Sequence, residues 1–245
     1  MSNINLDAAF DVAIIGSSGG IGSAFISLLL KKNVNRIYAF SRDKPSIISS
    51  KVIFNYMDIT DEQSIIYAVG KLPENTCFKL ILVCSGVLHS DNLQPEKNIE
   101  SLNVANLQHY FLVNSIGPAL VAKHFLPLLD KSKIVVFAAL SARIGSISDN
   151  RLGGWYGYRA SKAALNMLIK TLAIEYKRIN PKAVIVGLHP GTVDTALSKP
   201  FQQNVPAEKL FTPKFSAESL LNVMGQLTPE DTGFCFDWAG EKIVP

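Results

Sequence analysis

The chain has 245 residues, 48% hydrophobic and 18% charged, with 16 Gly and 12 Pro, a balance that excludes a disordered or collagen-like protein. The formal net charge of +4 comes from residues scattered singly or in pairs such as Lys31-Lys32. With no basic block, neither a nucleic-acid surface nor a polybasic membrane surface is expected.

The length suits one α/β domain with a sizeable core, and no repeat or Pro/Ser-rich linker divides residues 1–245. The N-terminal stretch lacks a basic segment followed by an apolar one, and charged residues or Gly interrupt the apolar runs. The expectation is a cytoplasmic protein without a membrane anchor. Cys77, Cys84 and Cys235 form no CxxC pair and read as buried thiols, and the four histidines show no HxH or HExxH spacing, so no metal is expected.

In chain order, short β-rich runs at 11–16, 36–40, 51–56, 79–86, 133–140, 182–190 and 233–238 read as strands. Between them, residues 22–32, 61–72, Asn98 to about Leu129, and 155–178 carry apolar residues at helical spacing. Strands alternating with helices predict a single-domain Rossmann fold: a doubly wound, mainly parallel sheet of about seven strands with helices on both faces. The extended irregular segment from Ser198 to Phe215, punctuated by Pro200, Pro206 and Pro213, reads either as a mobile lid or as a surface loop.

Immediately after the first strand, IIGSSGGIGSAF sets Gly16, Gly20 and Gly22 in a GxxxGxG pattern at a helix entry, with Ser18 and Ile21 in the same turn. Bare glycine backbone there can approach a pyrophosphate, and the helix N-terminus receives its charge. No GxxxxGK[ST] sequence occurs, which disfavours a nucleotide triphosphatase. At the end of the second strand, where an acid would bind the ribose hydroxyls of NAD, the sequence reads AFSRDK. Ser41 and Arg42 offer a hydroxyl and a guanidinium for a 2′-phosphate, favouring NADP(H); a strand ending two residues later would put Asp43 there and leave NAD(H) possible.

YxxxK occurs twice, as Tyr67/Lys71 and Tyr158/Lys162, so the bare pattern is weak. Tyr158/Lys162 differs in opening a long helix after the fifth strand, where residues four apart share a face. A Lys⁺ beside the phenol is expected to lower its pKa toward working pH, as a general acid for carbonyl reduction requires.

Gly16/Gly20/Gly22, Cys84-Ser85-Gly86, Asn114 in VNSIGP, a serine after the fifth strand, Tyr158/Lys162 in YRASKAALN, and HPGTVDT (residues 189–195) follow one another in an order that resembles the short-chain dehydrogenase/reductase family. The C-terminal half, from SARIGSISDNRLGGWYGYRASKAALN to GFCFDWAGEKIVP, is similar to its C-factor-like and carbonyl-reductase-like members. The resemblance implies Tyr158 as proton donor, Lys162 as ribose ligand and tuner of Tyr158, and Asn114 as part of a water-linked proton relay. It implies a serine on the substrate carbonyl: Ser141, which ends the strand in FAALS, or Ser146, at the more usual distance before Tyr158. Pro190, Gly191, Val193 and Thr195 would lie along the nicotinamide, Asp58 with Ile59 at the adenine, and Gly86 on the adenosine side. The family's Asn after the fourth strand is replaced by Cys84 and Ser85.

The chemistry implied is reversible interconversion of a small-molecule carbonyl and alcohol. A dinucleotide-binding regulator of the C-factor type is the alternative, whereas a nucleotide-sugar epimerase would need a larger C-terminal substrate domain. Many relatives form homodimers or homotetramers through the helices around 98–129 and 158–178. Arg143, Arg151 and Arg159 near the site hint at an anionic substrate, and His89, Leu152 and Trp155 are candidates for its lining.

Overall fold

The computed structural model describes Ile4 and residues 9–245. Among the described residues nine strands form in chain order: β1 (Phe10–Ile15), β2 (Val34–Ser41), β3 (Val52–Tyr56), β4 (Phe78–Val83), β5 (Val135–Leu140), β6 (Ala183–His189), β7 (Thr192–Val193), β8 (Leu210–Phe211) and β9 (Cys235–Asp237). The helices are α1 (Gly20–Leu29), α2 (Glu62–Gly70), α3 (Val104–Phe111), α4 (Gly117–Phe125), α5 (Tyr156–Ile179) and α6 (Pro213–Gln226).

Seven strands make one sheet in the order β3-β2-β1-β4-β5-β6-β9, and each neighbouring pair is parallel. Parallel neighbours need crossovers, which the helices supply, so the strands are buried on both faces and read as nearly continuous apolar runs. Alternation within each strand assigns the faces. Val12, Ile14, Leu80, Leu82, Val136 and Ala138 pack with α1 and α6. Ala13, Ile15, Ile81, Val83, Phe137 and Ala139 pack with α2, α4 and α5. The Rossmann fold expected from the sequence is the fold observed.

The helical run 104–128 is long and apolar enough to cross a membrane by length and composition. Here it is a core element: Tyr110, Val121, Ala122, Phe125 and Leu126 are buried in the protein. It is also broken by a π-helical turn over Leu112–Ile116, a feature often found where a helix carries function. The segment after β7 is more ordered than the sequence suggests, because Leu210 and Phe211 pair with Thr192 and Val193. Cys84 and Cys235 are partly buried, but Cys77 is exposed, against expectation. It sits in the turn before β4 rather than within the strand.

Candidate active site

The chain winds outward from β1 to β3 and then returns to β4 on the other side of β1, so the crevice at the ends of β1 and β4 is the sheet's switch point. Gly16 turns there with φ +81°, its N–H donating to the Phe40 carbonyl at 2.8 Å. A Cβ on Gly16 would stand 2.7 Å from Ser85 N and 2.9 Å from Cys84 C, so only glycine lets the two strand ends lie this close. Gly20 packs against Thr195 and Gly22 against the Gly16 carbonyl.

From this point a groove of about 640 Å³ runs across the strand ends, lined by Gly16, Ser18, Arg42, Asp58, Ile59 and Gly86 among others. Its bare backbone, basic residue and helix N-terminus suit a dinucleotide. Arg42 and Asp43 both line it, directly after β2. Ser41 departs from expectation. Its buried hydroxyl donates to the Asp43 carbonyl at 2.6 Å, so in its 2.7 Å contact with Ser17 Oγ it can only accept. With that proton committed, Ser41 offers the groove no donor in this arrangement, whereas the Arg42 guanidinium lines it. Asp58 Oδ1 accepts from the Thr60 N–H and hydroxyl at 2.9 and 2.7 Å. Partial burial works against the Asp58 carboxylate, but these bonds and the charge of Arg42 hold its pKa below the ordinary value.

Cys84, Ser85, Gly86, Leu88 and Leu197 are shared with a second cavity of about 320 Å³, so the two spaces are continuous. Ser141, Tyr158, Lys162, Pro190, Gly191, Val193, Thr195 and Ile21 line this second space. Tyr158 and Lys162 are buried at 8% and 4% exposure, one helical turn apart near the start of α5. Lys162 Nζ donates to the Leu140 carbonyl at 2.9 Å and stands 5.9 Å from the centre of the Tyr158 ring. Tyr67/Lys71, by contrast, is a surface pair with the ammonium 4.2 Å from the ring centre.

The expected lowering of the Tyr158 pKa by Lys162 is not what this environment produces. Burial pushes Tyr158 up to about 12 and Lys162 down to about 8, because desolvation disfavours both charged forms. For Lys162, whose ordinary pKa is 10.5, the unfolded chain binds more protons than the folded one between about 8 and 10.5. Stability must therefore rise with pH across that window, the penalty being full below about 8. Lys162→Met removes the effect. In nucleotide-free protein the variant's stability relative to the parent should be level near pH 7 and fall from about pH 8 to pH 10 in urea unfolding; parallel profiles would contradict it.

Ser141 ends β5 as the sequence suggested, and its hydroxyl donates to Asn166 Oδ1 at 2.6 Å; Cys235 Sγ donates to the same oxygen at 3.1 Å. Ser146 lies away from this cavity, its hydroxyl accepting the Asp149 N–H at 3.1 Å. Asn114 is fully buried in the π-helical turn. It exchanges two 2.9 Å bonds with the Val87 backbone and donates to Ser161 Oγ at 3.1 Å. A Cβ on Gly86 would stand 3.4 Å from Asn114 Oδ1 and 3.6 Å from Lys162 Nζ, so Gly86 lies between the two groups.

Sequence reasoning missed Asn166, one turn beyond Lys162, and Glu96, whose buried carboxylate accepts the Gly157 N–H at 3.1 Å where α5 begins. An Asn four residues after the Lys was a readable signal for the first; no local pattern marked the second. Among the described residues, no group of three or more His, Cys, Asp or Glu could hold a metal ion.

The fold and its continuous groove and cavity define a nicotinamide-dinucleotide-dependent oxidoreductase. Residues 11–206 match the family model for short chain dehydrogenases, and the chain belongs to that family. It is 28% identical to an uncharacterised oxidoreductase of Saccharomyces cerevisiae, over 98% of this chain and all of that one. It is 34% identical to the C-signal protein of Myxococcus xanthus over 58% of this chain and 80% of that protein. Its fold matches an NADPH-bound carbonyl reductase from chicken fatty liver with a TM-score of 0.84 at 24% identity, covering 97% and 99% of the two chains.

Proposed function

We propose that this protein is a cytoplasmic NADP(H)-dependent carbonyl reductase, working reversibly on a small-molecule ketone or aldehyde through Ser141, Tyr158 and Lys162. The observation that carries this reading is that these three side chains line one cavity continuous with the dinucleotide groove. When bound, the cofactor supplies the hydride; the protein supplies position and a proton.

Tyr158, kept protonated by burial, donates to the carbonyl oxygen. Ser141, whose hydroxyl rests on Asn166 Oδ1 at 2.6 Å, turns its proton to the carbonyl oxygen and so holds the substrate beside Tyr158. Lys162 meets the nicotinamide ribose, and Asn114 beneath Gly86 continues the proton path toward solvent. Ser18, Gly20, Ile21 and Gly22 hold the pyrophosphate end, Asp58 and Ile59 the adenine, and Pro190, Gly191, Val193 and Thr195 the nicotinamide. The exposed apolar residues Ile116, Met167 and Ile174 on the helices around 98–129 and 158–178 suit a homodimer or homotetramer.

Consumption of NADPH and NADH with a panel of aldehydes, ketones and quinones tests the reading; no Tyr158-dependent turnover with either nucleotide would overturn it. Two substitutions sharpen it. Arg42→Ala should weaken NADPH binding about 10-fold or more while leaving NADH within about threefold, since a charge-assisted phosphate contact disappears. Equal loss for both would free Arg42 of that role. Ser141→Ala should lower kcat about 100-fold, as for loss of one donor at a reacting oxygen, and Ser146→Ala only a few-fold. The reverse ranking would move the serine role.

Similarity to C-signal supports a second reading, a cofactor-dependent regulator with little turnover. It predicts tight nucleotide binding with no panel substrate consumed.

A further inference from the structure

On the reductase reading above, we propose that the substrate is an uncharged carbonyl compound with a flat aromatic body, selected by a wall formed by Trp155 and Phe201.

These two side chains line the cavity with their ring centres 5.0 Å apart, edge to face, and Trp155 is 6.3 Å from the Tyr158 ring. Leu88, Ile144 and Val205 extend the apolar surface. The wall is built in place rather than left loose. Trp155 takes a left-handed backbone conformation at φ 51°, costly for a bulky residue. Its N–H donates to the Glu96 carbonyl at 2.5 Å, while the Glu96 carboxylate secures the next turn of α5. Phe201 also packs edge to face with His89, ring centres 5.5 Å apart, and the imidazole Nε2 of His89 lies 3.0 Å from the Ala196 carbonyl oxygen at the start of the same segment.

Charge is the second argument. None of the three arginines suspected of receiving an anion lines this cavity. Arg143 is bound to Asp237 at 2.7 Å and to Asp149 at 3.5 Å. Arg159 donates to the Gly153 and Gly154 carbonyls, and Arg151 is exposed. Leu152, 92% exposed, is likewise no part of the lining. Among the described residues, the only charged side chain on the cavity wall is Lys162, already bonded to Leu140 and, on the reductase reading, engaged with the cofactor. His189, also in the lining, is driven to about 4 by burial and the nearby Arg143, so it is neutral. A carboxylate or phosphate entering here would lose its water without gaining a cation. About 320 Å³ for the nicotinamide end and substrate together is at the small end of ligand sites, which limits the body to one or two fused rings.

The test uses the full chain with NADPH and three aldehydes: benzaldehyde, 4-carboxybenzaldehyde and butanal. The parent should favour benzaldehyde over its carboxylate by about 100-fold in kcat/KM, the cost of an unpaired buried charge. Trp155→Ala and Phe201→Ala should each raise the ratio of the benzaldehyde KM to the butanal KM about 10-fold. Binding of unreactive benzamide and 4-carboxybenzamide to the NADPH-loaded protein by calorimetry gives a readout free of chemistry. Benzamide selectivity that is lost in Trp155→Ala supports the proposal even if no aldehyde turns over, an outcome that instead sinks the reductase reading. Tyr158-dependent turnover that treats the carboxylated aldehyde as well as benzaldehyde, or loses benzaldehyde and butanal alike in both variants, overturns the proposal and leaves the reductase intact.

Discussion

Tyr158→Phe should keep NADPH binding within about threefold of the parent and lower kcat by about 10²–10⁴, the usual span for removing a positioned acid. The change deletes one oxygen from a side chain that is 8% exposed and packed against Tyr110 and Trp155, with ring centres 6.3 Å away in each case. The ring, and the packing it provides, stay. Lys162 keeps its bond to Leu140, and the dinucleotide groove lies mostly on other residues. A phenol with its pKa pushed to about 12 remains protonated throughout the neutral range, so in the proposed role Tyr158 itself should cause no loss of kcat below that value. Single-turnover NADPH oxidation separates the chemical step from product release. Unchanged kcat in the variant would remove Tyr158 from the reaction.

The strands were legible because burial on both faces leaves runs such as Ile134–Leu140 almost wholly apolar, and parallel pairing then forces helices between them. The glycine turn was legible for a related reason: backbone packed as closely as Gly16 is against Cys84 and Ser85 tolerates no side chain. What the sequence hid were consequences of distant chain segments meeting. Ser41 looked available for a phosphate because its contact with Ser17, which leaves its own proton on the Asp43 carbonyl, arises only once the β1 and β2 ends are side by side. Tyr158 and Lys162 read as a charge-tuned pair on one helix, but their burial comes from packing that no helical spacing encodes, and desolvation outweighs their mutual effect. Arg143 looked free until Asp237, 94 residues later, took it.

Gly16→Ala is expected to be among the most damaging single-methyl changes in the dinucleotide groove. A left-handed φ of +81° costs a non-glycine residue about 1–2 kcal/mol before any contact is considered. The new Cβ would also press on Ser85 N at 2.7 Å and Cys84 C at 2.9 Å, both backbone atoms just beyond β4, where it ends beside its parallel neighbour β1. Cys84 N–H is itself bonded to the Ile15 carbonyl at 2.7 Å, so β4 cannot withdraw without losing a strand contact. Overpacking of this kind costs about 1–3 kcal/mol more. For a domain of this size each kcal/mol lowers Tm by about 2–4 °C, so a fall of about 5–15 °C should be seen by thermal unfolding. NADPH affinity should drop at least about 10-fold alongside, because the same movement displaces the groove floor. Gly225→Ala is the matched control: it sits in α6 with nothing within 4 Å of the added methyl, and should leave Tm unchanged or raise it slightly. Equal Tm values for the two variants would mean that the strand ends yield more easily than their bonded geometry implies. Gly16 would then be a convenience of the turn rather than a condition of the site.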